Sequence, residues 1–221
     1  IPFVFKDSVL SEKASLLLVY HVEKIDLIHF MPILQHLNLY IYDQIATRVG
    51  KITPLLGYIH AFRVSHANES TIDTTRINPL LKNGLQAVFH GILPNDPLNA
   101  LLISAQTPWQ GIYIIQAYRN YFLQLNTLYT REKIDQTLTS HPHVIKEIIR
   151  FFMMKFNPKL TESKRKKEVR DCLTKITKAC DTVSDIAEDY ILKCFVQLIE
   201  ATLRTNYFKM MTEYTVNQQK D

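Results

Sequence analysis

From Arg76 to Phe208 the apolar residues of this chain recur at steps of three and four, in runs bounded by residues that start or stop helices. Such a run presents one apolar face per helix, and a succession of them buries those faces only by packing helix on helix. Asn78-Pro79 opens a predicted helix through Leu81, Leu85, Val88 and Phe89, ended by Gly91. A short helix follows over Leu98 to Ala105. The next has Pro108 at its first position and carries Ile112, Ile115, Tyr118, Phe122 and Leu125 inward. Thr130 caps Arg131 to Leu138, Pro142 opens Val144 to Phe156, and Asn157-Pro158 stops it. Glu162 to Ala179 is a further helix. Thr182-Val183-Ser184-Asp185 reads as a capping box for the closing one, whose inward stripe is Leu192, Phe195, Ile199 and Leu203.

The first third reads differently. Ser15 to Tyr20 suits a buried strand. Asp26 caps a helix over Leu27 to Leu37, and Asn38 stands where a left-handed residue is wanted. Leu39 to Ala46 and Leu56 to Val64 are rich in Tyr, Ile and Phe and read as strands, with Gly50 and Pro54 between them. Strand, helix, strand, strand, helix is the order of a ferredoxin-like layer. His66 to Arg76 is polar and reads as a linker. The expected fold class is α+β: a small module over residues 1–70, then a mainly helical domain over 71–221.

At 221 residues there is ample material for a core, and no uninterrupted apolar stretch approaches the ~18–20 residues of a membrane span. Ile1-Pro2-Phe3 lacks a signal pattern and is what an internal cut leaves. Three cysteines, Cys172, Cys180 and Cys194, on predicted helices argue against a disulfide framework and fit a reducing cytoplasm. The five glycines never approach the spacing of a dinucleotide or phosphate loop, so no cofactor site is expected within the chain.

The remaining constellations have plain readings. His141 and His143 flank Pro142, which keeps them off a common helix face, so they are read as turn residues rather than metal ligands. Asp181, Asp185, Glu188 and Asp189 gather at a helix start, where the macrodipole favours acids. Lys164-Arg165-Lys166-Lys167, with Arg170, carries much of the net charge of +5. No aromatic is interleaved there, so a solvated face is preferred to a nucleic-acid site, and a stand-alone interaction module using that face is the alternative reading. Trp109, Tyr118 and Tyr121 fall at helical spacing and are read as core or interface packing. Arg119 lies at the edge of an apolar stripe and needs a buried or interfacial acceptor. Arg204, close to Asn206 at the end of the closing helix, is expected to be at least half buried and hydrogen-bonded there.

Several runs carry a resemblance. Asn95-Asp96-Pro97-Leu98-Asn99-Ala100-Leu101, then Thr107-Pro108-Trp109, then Ala117-Tyr118-Arg119-Asn120-Tyr121-Phe122-Leu123-Gln124 follow the order "nDxfNxL … sW … RAYxxYLxQ". Phe151 to Pro158 resembles "LFxxrFdP", Asp185 to Lys193 resembles "sLDeDRiLR", and Ala201 to Phe208 reads ATLRTNYF. Together, from about Leu80 to Phe208, these resemble the segment upstream of the catalytic domain in the large NAD-specific glutamate dehydrogenases of bacteria. Gln116 departs from the pattern, where Arg is usual, as do Ala187 and Tyr190, where Asp and Arg are usual. The resemblance implies a parent enzyme that oxidatively deaminates glutamate to 2-oxoglutarate and ammonium with NAD. It also implies an ACT-like module at the N-terminus, with an amino acid as a candidate effector. The expected partners are the catalytic domain of the same chain and further copies in a homo-oligomer. Catalytic, cofactor and metal residues are expected to be absent from this stretch.

With no phosphate-cradling loop and no lysine in a glycine-rich setting, the 221-residue chain by itself is expected to bind no NAD. Calorimetric titration checks this, and micromolar binding overturns it.

Overall fold

The computed structural model describes residues 3–7, 15–49, 57–66, 74–125 and 127–218. The connection holding Gly50 and Pro54, the middle of the expected linker (67–73) and the last three residues lie outside the described residues. The chain divides into two compact units, 1–113 and 114–221.

In the first unit, β1 (Phe3–Asp7), β2 (Ser15–His21), β3 (Leu39–Val49) and β4 (Gly57–His66) form one antiparallel sheet in the order β1-β2-β4-β3. Helix α1 (Leu27–His36) joins β2 to β3, which run parallel with β4 between them, a split β-α-β arrangement. Strand β1 takes the remaining edge by antiparallel pairing with β2, where a ferredoxin-like layer uses a strand that follows the second helix. The sequence reading did not anticipate β1. Asp26 caps α1 by accepting from the Ile28 N–H at 3.1 Å, and Asn38 adopts φ 58° just beyond it.

Alternate residues Leu17 and Val19 of β2 and Phe62 and Val64 of β4 are buried with Phe30, Leu34 and Leu37 of the α1 segment. The Phe30 ring lies 5.0 Å from Phe62 and 5.6 Å from Phe89 on α2 (Thr74–Phe89), so both helices and the sheet share this core. Helix α2 begins upstream of Asn78-Pro79, correcting the expected start. Pro79, the sixth residue, lies inside it and forgoes the backbone bond to the carbonyl four residues before. Gly91 follows with φ 68°. A 3-10 turn over Pro97–Ala100 and α3 (Leu101–Ser104) replace the single short helix. Helix α4 (Trp109–Gln124) then runs into the second unit.

That unit continues with α5 (Arg131–Ser140), α6 (Pro142–Phe156), α7 (Glu162–Cys180), α8 (Ile186–Ala201) and α9 (Tyr207–Gln218). Helix α6 packs on α7 and α8, and α5 packs on α8. Ile134, Leu138, Ile145, Ile148, Cys172, Ile191, Phe195 and Ile199 form the buried centre. Among the described residues from Asn78 to Thr212 there is no strand.

Three details correct the periodicity reading. The closing helix stops at Ala201, so Leu203 leaves the stripe and is 91% exposed. Leu125 lies beyond the end of α4 and is 48% exposed rather than inward. The cap of α8 is Asp185 itself, accepting from the N–H groups of Ala187 and Glu188, not Thr182.

Gly57 opens β4 where a Cβ would stand 2.7 Å from the His21 carbonyl oxygen, a backbone atom that cannot turn aside. Gly57→Ala is therefore expected to destabilise the chain by about 1–3 kcal/mol through a forced backbone shift. Denaturant unfolding checks it, and an unchanged midpoint would show that the backbone where β4 begins beside β2 gives way freely.

Candidate functional site

The polar groups of the second unit gather where α4, α5 and α6 meet α8. Arg119 on α4 is 1% exposed and donates from Nη1 to Oδ1 of Asp135 on α5 at 2.7 Å. Its Nε and Nη2 also reach Oδ1 of Asn120 at 3.3 and 3.2 Å. Asp135 is itself buried, and Arg131 Nε lies 3.8 Å from its second oxygen. A guanidinium with no water around it needs such acceptors, because its desolvation is otherwise uncompensated.

A second cluster joins α5 to the start of α8. Glu188 accepts from Lys133 Nζ at 2.9 Å and lies 2.8 Å from His141 Nε2, while Lys133 also reaches Asp185 at 3.3 Å. The His141 hydrogen bond, then Lys133, holds the Glu188 carboxyl below the usual carboxylate range. The Glu188 N–H does most to lower the Asp185 carboxyl, ahead of an opposing burial effect and the further help of Lys133 and the Ala187 N–H. Lys133 is raised in turn, chiefly by its bond to Glu188.

The third element closes α8. A helix leaves its last carbonyls without intrahelical partners. Lys155 on α6 donates to the carbonyls of Ile199, Glu200 and Thr202 at 2.7, 2.6 and 2.9 Å, using all three of its protons. Its positive charge also suits the negative end of the helix dipole. Burial pulls its pKa below the usual lysine value. Thr202 donates its hydroxyl proton to the Leu198 carbonyl at 2.7 Å, so Tyr118 on α4, 2.8 Å away, donates to Thr202. Tyr207, which starts α9, is 6% exposed and stands edge-on to Phe152 at 5.4 Å, and burial pushes its phenol up to about 12.

The residues singled out in the sequence are thus placed as follows. Trp109 is buried, Tyr118 is half-buried and bonded to Thr202, and Arg119 is buried on Asp135. Tyr121 is 51% exposed, on the outer side of α4. Arg204 and Asn206 are exposed in the non-helical stretch 202–206, correcting the expected burial of Arg204. The carbonyls it was expected to cap are already taken by Lys155. Sequence reasoning missed Lys155, Asp135 and Tyr207. The signal for Lys155 was present as the basic position of the Phe151–Pro158 motif. Asp135, beside Ile134 and Leu138, was an acid at the edge of an apolar stripe.

On α7, Lys166 pairs with Glu162 and Lys175 with Asp171, and Lys164, Lys167 and Arg170 are exposed. Among the described residues no group of three or more His, Cys, Asp or Glu is placed to hold a metal, and no helix is long and apolar enough to cross a membrane.

Comparison with known proteins gives this geometry a context. Residues 93–158 match the family model described as glutamate dehydrogenase, helical motif 3. Residues 175–220 match that described as bacterial NAD-glutamate dehydrogenase, catalytic domain. The NAD-specific glutamate dehydrogenase of Halomonas elongata is 26% identical over 183 residues, 83% of this chain and 11% of that protein. That of Pseudomonas aeruginosa is 28% identical over 194 residues, 86% of this chain and 12% of its own length. That of Mycobacterium tuberculosis is 25% identical over 183 residues, 80% and 11% respectively. The resemblance to the large bacterial NAD-specific glutamate dehydrogenases therefore stands, and reaches beyond the stretch from Leu80 to Phe208. The chain spans about a ninth of the length of these curated relatives. The second family match begins inside the chain, so α8 and α9 lie in the stretch that resembles a catalytic domain.

Two outcomes follow from the polar joints. Arg119→Met takes the 2.7 Å partner from the buried Asp135 carboxylate, leaving Arg131 at 3.8 Å, and is expected to cost about 3–5 kcal/mol, with Arg119→Met/Asp135→Leu recovering much of it. Denaturant unfolding of the two variants checks this, and equal stability of single and double variants would overturn it. Because the folded-state pKa values of Glu188 and Asp185 are lowered, their stabilisation is present above the unfolded values of about 4 and is lost as pH falls through the folded ones. Stability should decline on that acid limb, and Glu188→Gln should flatten it while lowering stability at neutral pH. Unfolding midpoints measured from pH 7 to 3 read both effects.

Proposed function

We propose that this chain is the part of a large NAD-dependent glutamate dehydrogenase that leads into the catalytic domain, and that its own task is structural rather than chemical. The parent reaction is oxidative deamination of L-glutamate to 2-oxoglutarate and ammonium, with hydride passing to NAD. The observation that carries the reading is the joint at Lys155. It lies in the stretch resembling helical motif 3 and grips the end of α8, in the stretch resembling the catalytic domain. A catalytic domain held by such a joint keeps its orientation without contributing reacting groups from this segment. The order β1-β2-β4-β3, with α1 as a split crossover, supports reading the N-terminal unit as an ACT-like regulatory module. An amino-acid effector and a homo-oligomeric, cytoplasmic enzyme belong to the same reading.

The test is the complete polypeptide carrying Lys155→Met. Glutamate-dependent NAD reduction is expected to fall by about fivefold to tenfold, the equivalent of about 1–1.4 kcal/mol. Lys155→Arg should restore part of it, since a guanidinium also donates to carbonyls. Unchanged turnover in Lys155→Met removes the positioning role. Absence of glutamate-dependent NAD reduction in the unaltered polypeptide removes the parent identity.

A further inference from the structure

Helix α8 has two apolar faces. Ile191, Leu192, Phe195 and Ile199 are buried within the second unit. A second, mostly apolar stripe rotated away from these, Ile186, Tyr190, Cys194 and Ala201 with Gln197 among them, runs the length of the helix, about 24 Å at the α-helical rise. Ile186 is 86% exposed and Tyr190 54%. Opposite this stripe the chain leaving α4 presents Leu125, 48% exposed, and Leu128, wholly exposed. Between them lies a groove of about 610 Å³ whose ten lining residues include no charged side chain. Scattered exposed leucines need no explanation, but a contiguous uncharged groove along α8 from Tyr190 to Ala201 marks a surface that is covered by something.

We infer that this groove is the seat of the remainder of the catalytic domain of the same polypeptide, which lays an apolar face along α8. This rests on the reading proposed above. The argument for that occupant is the place of α8 in the sequence. It lies in the stretch that resembles a catalytic domain, and the curated relatives carry almost nine-tenths of their length outside the matched region. A helix belonging to a domain buries a face against that domain. One face of α8 is committed to α5 and α6, and the Ile186–Ala201 stripe is the face left to serve the domain. The side chains favour an apolar helix in the groove, anchored between Tyr190 and Leu128, over an acidic or nucleic-acid ligand, because nothing in the lining answers a charge.

Cys194 offers a direct readout, since it lies in the groove and is partly exposed, whereas Cys172 and Cys180 are buried. N-ethylmaleimide labelling, followed by peptide mass spectrometry, is applied to the 221-residue chain and to the complete polypeptide. Burial raises the Cys194 thiol pKa, so it is expected to react measurably but more slowly than an open thiol in the former, and at least about tenfold more slowly again in the latter. Leu128→Glu and Tyr190→Glu alter exposed side chains and should leave the 221-residue chain folded. In the complete polypeptide they should restore Cys194 labelling and reduce glutamate-dependent NAD reduction. Equal labelling of Cys194 in both forms overturns the inference. So does protection within the 221-residue chain that grows with its own concentration and is abolished by Leu128→Glu, because a second copy is then the occupant. Protection of Cys194 in a complete polypeptide that shows no glutamate-dependent NAD reduction supports the covered groove and removes only the parent identity.

Discussion

The helical unit depends on a charge that has no water. Arg119 is enclosed by α4 and α5, and its guanidinium is compensated by Asp135 at 2.7 Å. Such a pair adds little net stability over well-packed apolar residues, but it is strongly selective, because every alternative packing of these helices strands two charges. It therefore fixes α5 against α4. Fixing α5 in turn sets the position of Lys133, and His141 follows at the end of the same helix. These two residues hold Glu188 at the first turn of α8.

The far end of α8 is held by different chemistry. There the demand comes from backbone carbonyls that the helix cannot satisfy, and three of them converge on the one ammonium of Lys155. Tyr118 adds a bond to Thr202, so α4 and α6 both govern the point where the chain leaves the helix. Acidic groups engaged at the start and a cation at the end also match the direction of the helix dipole. With both ends fixed, α8 is a rigid ledge.

What the sequence determined by itself was local. The change from β-rich runs to capped helices, the Asp26 and Thr130 caps, the left-handed Asn38 and the Pro142 start and Asn157-Pro158 stop of α6 all follow from interactions spanning a few residues. The inward positions of Ile112, Ile115 and Phe122 on α4 and of Leu192, Phe195 and Ile199 on α8 are equally local, since periodicity alone selects a face. The need of Arg119 for an acceptor was legible from its place on the α4 stripe, as was the family resemblance from runs in a fixed order.

Tertiary structure alone decided which partner answers each need. Lys155 and Arg204 are both basic residues near helix ends, and nothing local distinguishes them. Lys155 reaches the α8 carbonyls because α6 packs against α8, leaving Arg204 to solvent. Asp135 became the acceptor of Arg119 because α5 sits where its carboxylate comes within 2.7 Å of the guanidinium. Leu125 and Leu203 continued apolar patterns past the points where their helices ended, and so became exposed. Strand β1 exists through its pairing with β2, since a five-residue strand is held by the sheet it joins. Periodicity specifies which side of an element is apolar; only packing specifies what that side, and each buried polar group along it, will meet.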